Sequence, residues 1–310
     1  MHPLLARTKA RLRTGAKSLG GAAVGAVTIG MLRTTRYFDP IKTANLFGRI
    51  TRFIGPKLRE HRIARENLVA AFPEKSPEEI DTILAGVWDN LGRYGAEFAH
   101  LDHVWDYDTT NPGNGRVEFD PRSAELYDRL RDDGKPALFF ASHLGNWELP
   151  ALAAAAHGLD AAILYRRPNI ASAERIIEEL RNVKMGTLIA AGRDAPLRLA
   201  QALQNGQHVA MLVDQYFTNG VEVTFFGRKT RANPTLARLR RQVECPIHGV
   251  RIIRLPGHRF RAELSEEVEP VRNASGEIDI QGTMQAVTNV VEGWIREYPE
   301  QWLWLHRRWR

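Results

Sequence analysis

Short unbroken apolar runs alternate along this chain with longer stretches in which apolar residues recur every three or four positions. The first pattern predicts buried strands and the second predicts amphipathic helices. Strands are expected over 116–119, 137–141, 161–165 and 209–213, and a strand pair over 247–254 and 259–264. Helices are expected over 40–54, 62–71, 77–98, 171–183, 195–205, 234–242 and 283–297, with one more from Asp120-Pro121 to Gly134. Ser76, Pro77 and Glu79 have the spacing of a capping box with proline at the first helical position. Asp194 is read as the cap of the helix that Gly206 closes. Trp88, Leu91, Tyr94 and Phe98 form a stripe at helical spacing, read as core. Strand and helix alternating in this way imply an α/β fold, with a mixed, largely parallel sheet flanked by helices.

The stretch 137–158 joins both patterns. A strand-like run ends at Ala141, an alanine-rich helix ends at Gly158, and the polar turn Ser142-His143-Leu144-Gly145-Asn146-Trp147-Glu148 lies between. Strand-to-helix turns are where ligands bind in such sheets. His143 and Glu148 are five residues apart, which on one helix would set them about 140° apart. They can pair only if His143 precedes the helix and the chain folds back, which Gly145 permits. Pro150 then falls in the first helical turn, with Glu148 near the positive helix end. An imidazole oriented by a carboxylate is a general base for a hydroxyl or water. The plainer reading is a strand-end histidine satisfied by backbone and a helix-start acid.

Two further strands end in polar residues, Arg166-Arg167 and Asp214-Gln215. In a largely parallel sheet all three clusters share one carboxyl edge and form a cleft. The bland alternative is a generic loop surface.

Composition adds a second theme. The chain has 310 residues, 44% apolar and 25% charged, enough for a large core. Its one cysteine, Cys245, excludes an internal disulfide framework and a multi-cysteine metal site, and reads as a buried small hydrophobe. No metal and no cofactor are expected. The net charge of +7 is carried by residues 1–38, which hold seven basic residues and no acid. The apolar part of that segment, 19–32, is rich in glycine and alanine and short of the ~20 residues of a span. We read residues 1–38 as a helical, membrane-associating segment on an anionic leaflet, and 39–310 as a single domain. The alternative is a basic tail. No helix-turn-helix or RNA-binding motif accompanies it, so nucleic acid is not an expected partner.

The turn His143-Leu-Gly-Asn-Trp-Glu148 matches the His-x4-Asp/Glu motif of the glycerolipid-type acyltransferases. Its form resembles the lipid A secondary acyltransferases, the lauroyl and myristoyl transferases of Gram-negative inner membranes. Arg65-Glu-Asn67-Leu68 with Phe72-Pro73, Tyr165-Arg166, Asp214-Gln215, Phe225-Phe226-Gly227 and the closing Trp304-Leu-His306-Arg-Arg308-Trp309 are similar to the same family. The likeness covers about residues 40–310, with Glu where the motif often has Asp.

The resemblance implies acyl transfer from an acyl carrier protein thioester to a hydroxyl on the 3-hydroxyacyl chains of a Kdo-bearing lipid A precursor. It places the protein on the cytoplasmic face of the inner membrane. His143 would take the hydroxyl proton and Glu148 would orient the imidazole. Backbone N–H groups near Gly145, or Arg166, would stabilise the oxyanion. No acyl-enzyme is required, because Ser142 lacks a nucleophile-elbow context. Gly145, Asn146, Arg166, Arg167, Arg193, Asp214, Gln215 and Arg228 are the candidate substrate-binding residues, the arginines (with Lys229) suiting a phosphorylated sugar. Asp214 would orient one of these arginines or cap the next segment. Two other readings stay open: an acyltransferase with a glycerophospholipid or mannoside acceptor, and a non-catalytic lipid-binding protein.

Overall fold

The computed structural model describes residues 30, 33–108, 111, 114–167 and 185–310. The expected helix over 171–183 and nearly all of the basic segment 1–38 lie outside the described residues.

Among the described residues the chain runs α1 (Pro40–Ile54), α2 (Arg59–Ala71), α3 (Pro77–Phe98), α4 (Leu101–Val104), β1 (Val117–Phe119), α5 (Pro121–Asp132), β2 (Leu138–Ala141), α6 (Leu149–Ala156) and β3 (Ala161–Tyr165). It continues with β4 (Thr187–Ala190), α7 (Ala195–Gln204), β5 (His208–Leu212), β6 (Val221–Phe225), β7 (Arg228–Ala232), α8 (Thr235–Gln242), β8 (Ile247–Leu255), β9 (Arg259–Leu264) and α9 (Ile280–Glu297). No helix among them is long and apolar enough to cross a membrane.

Local chemistry accounts for several helix starts. The Ser76 side chain accepts from Glu79 N while the Glu79 carboxylate accepts from Ser76 N, so α3 begins with both halves of a capping box. Asp120 accepts from Ser123 N at the start of α5. Asp194 does not cap α7. Its own dihedrals are helical, φ −87° and ψ −15°, which is not the extended geometry an N-cap needs.

Seven strands form one sheet in the order β1-β9-β8-β2-β5-β3-β4. Every neighbouring pair is parallel except β8–β9. The alternation of side chains divides two layers. Phe139, Ala161 and Ala210 pack toward α5 and α6, whereas Leu138, Phe140, Ala162, Val209 and Met211 pack toward α7, α8, α9 and part of α3. Strands covered on both faces read as continuous apolar runs, which is why they were legible.

Two features were not anticipated. One is β4 at the sheet edge. The other is the separate hairpin β6–β7, whose two-residue turn has Phe226 at φ +53° and Gly227 at φ +69°. Positive φ at both positions is the hairpin geometry normally served by Asn-Gly, so Phe226-Gly227 gave no such signal. Phe226 is buried against Phe72, Trp304 and Trp309.

The C-terminal tail is core. Trp302, Trp304 and Arg308 are almost fully enclosed. Asn67 donates to the carbonyls of Trp304 and His306, and Arg308 donates to Thr230 Oγ1 and the Arg231 carbonyl. The tail thus ties α2, the hairpin and the sheet's carboxyl edge together.

Candidate active site

The chain leaves β2 at Ala141 and turns tightly, with Leu144 N–H donating to Ser142 O at 2.7 Å. The tail runs alongside this turn. Leu144 pairs with Trp302 in a β-bridge, Leu303 N–H donates to His143 O, and Gly145 N–H donates to Gln301 O. Gly145 sits at φ +60°, and a Cβ there would stand 2.1 Å from the Ile252 carbonyl oxygen. Only glycine fits.

His143 is bound at both ring nitrogens. Nδ1 lies 2.8 Å from Asp214 Oδ1, and Nε2 lies 3.2 Å from Gln215 Nε2. Asp214 also accepts from His143 N–H (2.8 Å) and Trp302 Nε1–H (2.7 Å). The indole is only a donor, so this carboxylate is arranged to accept throughout. Burial acts to raise the Asp214 carboxyl, but the charge and hydrogen bonds of His143 outweigh it and hold it below the usual carboxylate range. An ionised Asp214 fixes the proton on Nδ1. Nε2 is then the acceptor of a hydrogen bond from the Gln215 amide N–H, the tautomer a general base requires.

This corrects one expectation. The carboxylate on Nδ1 is Asp214, where Glu148 was expected, and Asp214 orients the imidazole, where an arginine partner or a cap was expected. The reason is topological. Strand β5 is hydrogen-bonded directly to β2, with Leu212 in register with Ala141, so Asp214 emerges level with His143. Glu148 has been carried round by the turn to the start of α6. There Tyr94 Oη donates to its Oε1 at 2.9 Å, and its own N–H donates to Asn146 Oδ1.

Beneath the turn lies a second buried polar cluster. Asn146 is fully enclosed, and its amide donates to Glu97 Oε2. Both Glu97 oxygens accept from the Arg254 guanidinium, whose Nε–H donates to Asn90 Oδ1. Asn90 donates in turn to the carbonyls of Gly145 and Gln301. A bidentate Arg–carboxylate pair with every partner engaged makes a rigid support. Asn146 and Gly145 therefore build the turn. The N–H of Gly145 itself is committed to Gln301 O, so it is not among the backbone donors near Gly145 that were expected to meet the oxyanion.

His143, Glu148, Gln215, Arg166 and Arg167 border a cavity of about 630 Å³ that runs between the sheet and α6. Its walls are apolar because both layers offer small side chains there, among them Ala161 and Ala210 from the sheet and Ala151 and Ala154 from α6. Phe139 and Tyr127 border it as well. Two other candidates lie elsewhere. Arg193 is exposed before α7, and Arg228 is exposed with its guanidinium 4.7 Å from the centre of the Trp309 ring. Neither borders the cavity. Cys245 is buried, and burial pushes its thiol up to about 11.

Residues 21–310 match the family model described as bacterial lipid A biosynthesis acyltransferase. The chain belongs to that family. It is also 22% identical over 283 residues to "Lipid A biosynthesis acyltransferase 2" of Shigella flexneri, covering 89% of this chain and 86% of that protein. The protein is therefore an O-acyltransferase of lipid A synthesis, with a lipid A precursor as acceptor. The non-catalytic reading falls away.

Several residues of this acyltransferase's site gave no signal of their role in the sequence. Trp302 and Gln301 support the turn from a distance of more than 150 residues. Tyr94 read as part of a core stripe, yet its hydroxyl reaches Glu148. His306 stands behind His143, its ring centre 6.5 Å away, and burial lowers its imidazole to about 4. It is neutral at ordinary pH, so among the described residues the ionised group on the imidazole is Asp214.

Proposed function

We propose that the enzyme transfers a fatty acyl chain from an acyl carrier protein thioester to a hydroxyl of a Kdo-bearing lipid A precursor. The observation that carries the reading is His143, held through Nδ1 by Asp214, at the edge of an apolar cavity with Arg166 and Arg167 on the same rim. The cavity suits a hydrocarbon chain and the arginines suit an anionic head group.

In this scheme Nε2 takes the proton from the acceptor hydroxyl as its oxygen attacks the thioester carbonyl. The tetrahedral oxyanion collapses, the new ester C–O bond remains and the C–S bond breaks. The departing thiolate of the carrier recovers the proton from the imidazolium. Asp214 stabilises that imidazolium and keeps its orientation. Arg166, and Gln215 Nε2 once the acceptor hydroxyl replaces it on His143 Nε2, are the donors available to the oxyanion. The cytoplasmic face of the inner membrane is where carrier and precursor meet.

The test is mass spectrometry of lipid A from a strain lacking the gene, complemented by the parent or by His143→Ala. Loss of one secondary acyl chain, restored only by the parent, supports both reaction and acceptor. An unchanged lipid A profile excludes this acceptor. In vitro, Arg166→Lys lowers turnover although the charge is kept, because the planar fork is lost.

A further inference from the structure

Helix α1 is amphipathic with its sides reversed. The face packed on α3 is made of small residues, Thr43, Ala44, Gly48 and, just past the helix, Gly55. The approach there is close. A Cβ on Gly48 would stand 2.7 Å from Asp89 Oδ1, and one on Gly55 would meet the Trp88 ring at 2.1 Å. Apart from half-buried Phe47, its large apolar residues point to solvent. Tyr37, Phe38, Ile41, Leu46, Ile50, Phe53, Ile54 and Leu58 are all exposed, Tyr37 by 87% and Phe53 by 71%. Eight of the twelve large apolar residues exposed among the described residues thus fall within 37–58. A helix that serves only the core turns the opposite way. Leu46, Ile50 and Phe53 fall within about 60° of one another round the helix, and an exposed apolar stripe of this kind marks an interaction site.

The charges beside the patch are mostly positive. Lys42, Arg49, Arg52, Lys57 and Arg59 are exposed around it, and Asp39, the cap of α1, is the single acid between 33 and 59. The surface is a convex helix with aliphatic and aromatic side chains flanked by arginine and lysine. That is the chemistry of a helix lying in the headgroup region of an anionic bilayer. We propose that the outer face of α1, with Tyr37, Phe38 and Leu58, is the surface by which this enzyme sits on an anionic lipid membrane. The proposal stands apart from the acceptor's identity. It also differs from the expectation that residues 1–38 do this alone, since its centre is a packed helix of the domain. Trp302 and Trp304 of the tail are buried and do not contribute such a surface.

The experiment uses the full chain and vesicles of phosphatidylcholine with or without phosphatidylglycerol. Ile50→Asp with Phe53→Asp should lower flotation with the mixed vesicles at least tenfold. Turnover on detergent-dispersed substrate should stay within twofold of the parent. Arg49→Gln and Arg52→Gln should each weaken binding to mixed vesicles about fivefold and leave binding to pure phosphatidylcholine unchanged. A polarity-sensitive dye on Phe53→Cys should shift to the blue with mixed vesicles, and the same dye on exposed Leu197→Cys should not; Cys245 is buried and takes no label. Parent-like flotation of the double variant overturns the proposal, as does a silent dye at position 53. A halved solution mass in the double variant with flotation unchanged would make the patch an interface between copies. A raised KM for acyl carrier protein alone would make it a carrier site. Either outcome overturns the membrane assignment.

Discussion

His143 stands between two buried carboxylate regions that behave in opposite ways. On one side, at the end of β5, Asp214 is ringed by donors from His143 and Trp302, and its charge is spent on the imidazole. On the other side, below the turn, Glu97 is gripped through both oxygens by Arg254, and its charge is spent on the framework. A carboxylate neutralised by arginine stiffens the structure. One whose nearest ionisable partner is an imidazole fixes that ring's orientation and tautomer. Glu148 belongs with the second region in geometry, since Tyr94 and Asn146 engage it at the start of α6.

The comparison can be broken at four points. Asp214→Asn should lower kcat by about 10² to 10⁴ with little change in KM for the acyl donor, because the ring loses both its tautomer and its counter-charge. Steady-state kinetics on the folded variant checks it, and near-normal turnover would move the orienting role elsewhere. Arg254→Met should act on the framework, leaving Glu97 charged and buried without its partner. The expected loss is about 3–5 kcal/mol of stability, read as a lower urea midpoint. A parent-like midpoint would mean that the turn is held by the tail alone.

The third point is pH. Burial lowers His306 to about 4 in the folded protein, against 6.5 for the free side chain. Between those values the unfolded chain binds the extra proton, so stability rises with pH across that window and is lost as pH falls through it. The share due to this group is on the order of 3 kcal/mol. The urea midpoint of His306→Gln should therefore fall less steeply from pH 6.5 to pH 4.5 than that of the parent. Parallel curves would assign the acid sensitivity to another group. The smallest effect is expected for Glu148→Gln, about tenfold on kcat, the worth of one charge-assisted hydrogen bond. If Glu148→Gln instead costs more than Asp214→Asn, the two sides must be exchanged in the mechanism, with Glu148 moving onto the imidazole when substrate binds.

Much of the site was legible because strand ends announce themselves. The runs 137–141, 161–165 and 209–213 are apolar since both faces of β2, β3 and β5 are covered, and the polar residues after each line the same edge. The pairing on His143 was not legible. Glu148 is near in sequence and Asp214 lies 71 residues away, and only the order β2-β5-β3 makes Asp214 the neighbour. The hairpin β6–β7 was missed because Phe226-Gly227 replaces the usual turn residues and β7 is mostly charged.

The sequence by itself determined the α/β class, most helix boundaries, the His143 turn and the glycine at 145, because periodicity, capping and positive φ are local physics. Tertiary structure decided which carboxylate meets the imidazole. It also placed Trp302 and Trp304 of the tail inside the core and turned the large apolar side of α1 toward solvent. Those outcomes depend on strand order and on which face of a helix finds small residues to pack against, and no local pattern encodes either one.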